Sequence, residues 1–393
     1  MTQARTYAEL IPPNRLLLGP GPSNLDPRVI KSMTSPLVGH LDPYFLELMD
    51  EMKDLLRFVF RTNNKLCVTL PGTGSAGMEA AVCNIVERGD EVIVGVNGLF
   101  GQRMSDIVTR CGGKSIEIKE KWGRVISRES VERALHESKA KAVAIVHAET
   151  STGVLQPLEE ISRVAKDHDA LFLVDSVTSL GGCPLDVDNL GIDICYSGSQ
   201  KCLNAPPGLA PITFNERAME VVRNRRTKVQ SLYLDISLIE KYWSEERAYH
   251  HTAPILMIYA LREALRIVQE EKLERRWERH VKNSSALING VEAMGLRMHP
   301  PEHRLPTLNA IAVPEGVSDL DVRKDLLSRF NIEIGGGLGE LRGRVWRIGL
   351  MGLNSSQANV MIVLSSLGRI LRERGFRVDS GAGLQAAVRT YDN

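Results

Sequence analysis

Tyr196-Ser-Gly-Ser-Gln-Lys201-Cys-Leu-Asn-Ala-Pro-Pro-Gly208 follows the apolar run Ile192-Asp-Ile-Cys195, which reads as a short buried strand. Upstream, Ala170-Leu-Phe-Leu-Val-Asp175-Ser176 reads the same way and closes on a carboxylate. Strands covered on both faces appear as continuous Val/Ile/Leu runs rather than as alternating patterns. Leu66-Cys-Val-Thr-Leu70, Glu91-Val-Ile-Val-Gly-Val96 and Ala142-Val-Ala-Ile-Val146 are further runs of this kind. Amphipathic stretches lie between several of them, at Ala76 to Arg88, Arg103 to Cys111, Arg128 to Ser138 and Leu158 to Asp167. The alternation predicts an α/β fold with a mostly parallel sheet between helices. Ligands of such sheets bind beyond the carboxyl ends of the strands, and Asp175 and Lys201 fall there.

After Pro254 the texture changes. Ile255 to Glu270 and Lys272 to Met294 read as long helices, with Leu261, Leu265 and Val268 on one face of the first. A smaller α+β domain follows, with strands near Asn309-Ala-Ile-Ala-Val313 and Val345-Trp-Arg-Ile348, helices at Leu320 to Phe330 and Gln357 to Arg374, and a Gly-rich segment from Ile334 to Gly339. The expected division is an N-terminal arm over 1–20, a large domain over 21–270, a small C-terminal domain over 271–379, and a small, polar tail over 380–393 that is disordered or loosely attached. A chain of 393 residues can bury the cores of about two domains. Its 49 Lys+Arg against 48 Asp+Glu give no reason to expect a nucleic-acid or membrane partner. The six cysteines show no CxxC spacing, and most lie in or beside apolar runs, as free thiols in a reducing compartment do. No apolar run approaches the ~18 residues of a membrane span, and Met1 to Arg15 resembles neither a signal nor a transit peptide. The C-terminal Arg389-Thr-Tyr-Asp-Asn393 carries no SKL-type address. A cytoplasmic protein is the expectation.

A lysine at a strand end is commonly a surface residue. Desolvated in a loop of small residues, it has a lowered pKa and forms a Schiff base with a carbonyl. Paired with Asp175 on the same rim, Lys201 points to pyridoxal 5'-phosphate (PLP), the lysine on the aldehyde and the aspartate facing the pyridine nitrogen. Leu70-Pro-Gly-Thr73-Gly74-Ser75-Ala-Gly77 joins a strand to a helix and suits an anion, so Thr73, Gly74 and Ser75 are phosphate-binding candidates. Gly72-Thr-Gly74-Ser-Ala-Gly77 also matches the GxGxxG of dinucleotide folds, which keeps an NAD-dependent oxidoreductase in view. Against it, the next strand ends at Val96-Asn97 with no acidic residue for a ribose. Phe100, released after Gly98, is placed to stack on a planar heterocycle or to pack in the core. Thr150 is placed to donate to a ring oxygen or to cap a helix. Arg347, in the apolar Arg344-Val-Trp-Arg347-Ile-Gly349, needs an anion, either a substrate carboxylate or an internal acid. His250 and His251 have no third ligand placed near them, so no metal is expected.

Together these segments resemble one family over roughly residues 15 to 375. Leu16-Leu-Leu-Gly-Pro-Gly-Pro-Ser-Asn24, Ser151-Thr-Gly-Val-Leu-Gln-Pro157, Val174-Asp175-Ser176, Tyr196-Ser-Gly-Ser-Gln-Lys201, Leu203-Asn-Ala-Pro-Pro-Gly208, Tyr249-His-His-Thr252 and Gly335-Gly-Gly-Leu-Gly339 are similar to alanine–glyoxylate (serine–pyruvate) aminotransferases, class V members of fold-type I PLP enzymes. The resemblance implies a seven-stranded-type sheet, transfer of an amino group from alanine or serine to glyoxylate or pyruvate, and a homodimer with shared active sites and the N-terminal arm at its interface. Lys201 and Asp175 are then catalytic, and Gln200 joins the 73–75 turn on the phosphate. Arg347 takes the substrate carboxylate, and Gly21, Ser23 and Asn24 line the substrate cavity. Tyr249 and Thr252 reach the phosphate of the neighbouring subunit. The animal members carry His in the glycine turn and Trp as the stacking ring, where this chain has Ser75 and Phe100. The amino donor is therefore left open, with ureidoglycine, 3-hydroxykynurenine and aminoethylphosphonate as alternatives. A cysteine desulfurase would need a reactive cysteine on a mobile loop, and no cysteine lies beyond position 202.

Overall fold

The computed structural model describes residues 7–392. Its central sheet has seven strands: β1 (Leu66–Pro71), β2 (Glu91–Val96), β3 (Lys114–Lys119), β4 (Ala142–Val146), β5 (Leu171–Asp175), β6 (Ile194–Tyr196) and β7 (Leu209–Phe214). They lie side by side in the order β1-β7-β6-β5-β4-β2-β3. All neighbours are parallel except β7, which runs against both β1 and β6. Two strands carry no continuous apolar run. β3, Lys-Ser-Ile-Glu-Ile-Lys, is the sheet edge and half-exposed, and its terminal lysines discourage further strand pairing. β7 contains Pro211, which argues against an interior strand. The strand keeps its bonding there through the Pro211 carbonyl, which accepts from the Ser197 amide at 2.8 Å.

The strand order reverses between β2 and β4, so the segments leaving their carboxyl ends diverge and open a cleft. Helices pack against the sheet. α1 (Pro43–Phe60) starts at Asp42, whose carboxylate accepts from the Tyr44 amide at 2.9 Å with Pro43 in the first turn, and it stops at Arg61 in the left-handed region. α2 (Gly74–Ile85) follows β1 and α3 (Leu99–Arg110) follows β2, and neither has a side-chain N-cap from its own N-cap residue.

α4 (Ile255–Glu271) and α5 (Leu273–Ala293) are separated by Lys272 alone, at φ 71°. Two large apolar cores meet along α5. The first extends to Trp277, and the second takes Ala286, Leu287 and Val291 from the same helix. The two cores thus share α5, which begins three residues past the expected boundary at 270. In the small domain, α6 (Asp319–Phe330) and α7 (Gln357–Glu373) accompany a three-stranded sheet in which β10 (Val345–Gly349) lies between β8 (Leu308–Ala312) and β9 (Gly335–Gly336), antiparallel to both. Leu16–Leu17 pairs with Ile332–Glu333, and Leu18 is buried in the second core, so the end of the expected arm belongs to the small domain. Residues 1–6 of that arm lie outside the described residues.

The tail corrects an expectation. Ser380–Asp392 is a helix, α8, packed against α5 and α7. The small residues read as a sign of disorder serve close packing: a Cβ on Gly383 would stand 2.9 Å from the Gly290 carbonyl, and Ala387 is fully buried. Tyr391 Oη donates to Asn283 Oδ1 at 2.8 Å.

Candidate active site

β5 ends at Asp175 and β6 at Tyr196, and the two residues are register partners. Asp175 is 3% exposed. One carboxylate oxygen accepts from the Val177 amide and the other from Tyr196 Oη, each at 2.8 Å. Burial pushes its pKa up to about 6 against these hydrogen bonds. No cation lies within ion-pairing distance of it among the described residues. Lys201 follows β6 on the same rim, and its Nζ donates to the Pro20 carbonyl. Burial, and next the charge of Arg347, pull the Lys201 amine down to about 8. Gly21 makes room for it: at φ +102°, a Cβ there would stand 2.6 Å from Lys201 Cδ and 2.8 Å from Nζ.

Thr73, Gly74, Ser75, Phe100, Thr150, Asp175, Gln200 and Lys201 line one cleft. The first three present the open N-terminus of α2 to it. Gln200 Oε1 is buried without a partner. Phe100 stands in the first turn of α3, and that turn is held by a residue absent from the sequence reading. Glu149, fully buried, accepts from the amides of Phe100 at 3.0 Å and Gly101 at 3.3 Å, and from the amide and hydroxyl of Ser151 at 3.0 and 2.5 Å. Gly98 is required beside it, because a Cβ would fall 2.3 Å from the Glu149 carboxyl carbon. Burial raises the Glu149 pKa against its hydrogen bonds with Ser151, Gly101 and Phe100. The signal was an acidic residue three positions past an apolar strand, legible only once that strand is known to lie beside α3.

Arg347 projects from the buried β10. Its Nε donates to the Gly336 carbonyl at 2.7 Å and its Nη1 to the Thr150 carbonyl at 3.1 Å. No internal carboxylate pairs with it among the described residues, and burial lowers its pKa to about 10. Thr150 caps no helix.

The loop behind Lys201 is fixed by a buried ion. Arg276 donates to the carbonyls of Gly181 at 3.0 Å and Cys202 at 2.6 Å and to Asn204 Oδ1 at 3.0 Å, with Glu271 as its counter-ion. Ser23 belongs to this support: its hydroxyl donates to the Lys201 carbonyl at 3.1 Å and accepts from Asn204 Nδ2 at 2.7 Å. Asn24 departs from expectation. Its amide is consumed by the Arg15 carbonyl, the Leu17 amide and Asn354 Nδ2, so it braces the N-terminal strand and does not face the cleft. Tyr249, 64% exposed, and Thr252, also exposed, lie outside the cleft of the single chain.

A desolvated amine, a buried carboxylate without a cation partner and an open helix N-terminus thus meet on one rim of the α/β sheet. The chain belongs to the class V aminotransferase family, whose pattern it matches over residues 16–341. It is 41% identical to a solved ureidoglycine–glyoxylate aminotransferase from Bacillus subtilis, with a TM-score of 0.96 over 98% of this chain and 100% of that one. A solved alanine–glyoxylate aminotransferase from Nostoc sp. is 49% identical, with a TM-score of 0.93 over 94% and 99%. The alanine–glyoxylate aminotransferase of Callithrix jacchus is 42% identical over 92% of this chain and 88% of its own. Membership sets aside the dinucleotide reading of Gly72 to Gly77. Class V aminotransferases use PLP, and the residues present fit it: Lys201 for an aldehyde, Asp175 for a ring nitrogen, and the uncapped amides at the α2 terminus for a phosphate. Among the described residues no helix is long and apolar enough to cross a membrane.

Proposed function

We propose that this aminotransferase moves an amino group from alanine or serine to glyoxylate or pyruvate. Glycine and the donor's keto acid are the products of the glyoxylate reaction. The observation that carries the reading is Arg347, a buried guanidinium at the Lys201 cleft with carbonyl partners but no carboxylate of its own. A small α-carboxylate satisfies it bidentately and sets the α-carbon in register with Lys201.

PLP, when bound, supplies the electron sink for the bond broken at the α-carbon. Lys201 holds its aldehyde and, released by the donor, takes the α-proton on Nζ and later returns it, for which an amine poised near pH 8 is suited. Asp175, kept in place by Val177 and Tyr196, faces the ring nitrogen and favours its protonated form. Thr73, Gly74, Ser75 and Gln200 receive the phosphate, Phe100 covers a ring face, and the Thr150 hydroxyl serves the ring oxygen. Gly21 leaves space for Lys201 to swing, and Ser23 steadies its backbone.

The active form is a homodimer in this reading. Tyr249 and Thr252 are free to reach a partner's phosphate site, and Tyr7, Leu10, Ile11, Leu37, Tyr44 and Leu232 leave apolar surface exposed that a second copy would cover. A second donor, ureidoglycine, is favoured by the near full-length match to the Bacillus subtilis enzyme. A half-reaction panel separates the two. Loss of PLP absorbance with alanine or serine, and not with ureidoglycine, supports the first reading, and the reverse overturns it. Arg347→Ala should raise KM for every acid in the panel.

A further inference from the structure

We infer that Arg103 is a binding residue for the phosphate monoester of PLP, the cation that faces an otherwise neutral cradle. The inference rests on the proposed role of the Thr73–Ser75 turn. Thr73, Gly74, Ser75 and Gln200 are all uncharged, while a phosphate monoester carries a charge of about −1.5 to −2 at neutral pH. The N-terminus of α2 offers roughly half a positive charge. Of the cations at the cleft, Lys201 is committed to the aldehyde and Arg347 to the substrate carboxylate, which leaves Arg103 for the phosphate.

Arg103 is already aimed at the cradle. It lies one turn beyond Phe100 on α3, so both side chains share the face that looks into the cleft. Its Nη1 donates to Ser75 Oγ at 3.0 Å, and its guanidinium carbon stands 5.1 Å from the centre of the Phe100 ring. Its charge is felt at Asp175 and Tyr196, across the cleft. No carboxylate pairs with it among the described residues, whereas Arg110 on the same helix is paired with Asp106 at 2.7 Å. An exposed arginine with a hydroxyl and a ring for partners, and no counter-ion, keeps its remaining donors for an anion. Phe100 and Arg103 would act as one clamp, the ring on the heterocycle and the guanidinium on the phosphate.

The test compares PLP with pyridoxal, which lacks the phosphate, in titrations of the apoenzyme followed by Schiff-base absorbance. Arg103→Gln should bind PLP roughly 10- to 100-fold more weakly, the loss expected for a charge-assisted hydrogen bond. Its affinity for pyridoxal should equal that of the parent. Arg103→Lys should recover part of the PLP affinity, and added salt should weaken PLP binding by the parent more than by Arg103→Gln. Unchanged PLP affinity in Arg103→Gln overturns the inference. So does an equal loss for both ligands, which would make Arg103 a support for the Phe100 ring. If the parent apoenzyme binds neither ligand, it is the cofactor site itself that has failed.

Discussion

At Lys201, burial and the charge of Arg347 act in the same direction, because both penalise the ammonium. The folded pKa of about 8 lies below the ordinary 10.5, so the amine becomes a nucleophile as pH rises through about 8. The rate at which the apoenzyme captures PLP should therefore climb with pH and level off just above 8. A rate still rising towards pH 10 would mean an ordinary, solvated lysine. The placement of Lys201 and Asp175 on one rim was legible in the sequence because each lies at or just past an apolar run, and the rim of a parallel sheet gathers such ends. Tyr196, Glu149 and Arg103 were not. Tyr196 matters because it sits beside Asp175 across a strand pair, and Glu149 because its strand end lies against the start of α3. Asn24 was misread for a related reason: proximity in sequence to Gly21 says nothing of the side on which an amide finds its partners.

At the scale of elements, apolar runs bounded five of the seven strands of the large sheet and missed β3 and β7. β3 mixes polar with apolar residues because it is only partly covered, and β7, though buried throughout, is interrupted by Pro211. The terminal helix α8 was lost because Gly and Ser carry low helix propensity, a weak prior that packing against α5 overrides. That contest is measurable. Gly383→Ala gains up to about 1 kcal/mol in propensity. Its new Cβ would stand 2.4 Å from Met294 Cγ and 2.9 Å from the Gly290 carbonyl. Overpacking of that kind costs about 1–3 kcal/mol, so thermal unfolding should show a net loss of stability. An unchanged or raised melting temperature would return the segment to a loosely attached tail.

Across the whole molecule, the site lies where the large domain's reversed strand order opens the sheet and where β10 of the small domain delivers Arg347. Arg276 on the shared helix α5 ties that seam to the Lys201 loop, so the spacing between amine and guanidinium depends on both domains. This coupling could not be read from the chain, since α5 looks like any long amphipathic helix until both cores are seen to use it. The account as a whole requires that one lysine, out of all those the protein carries, bears the cofactor. Borohydride reduction of the PLP-loaded protein, followed by proteolysis and mass spectrometry, tests this directly. A single phosphopyridoxyl group on Lys201 is the predicted result. Label on another lysine, spread over many, or absent would contradict it.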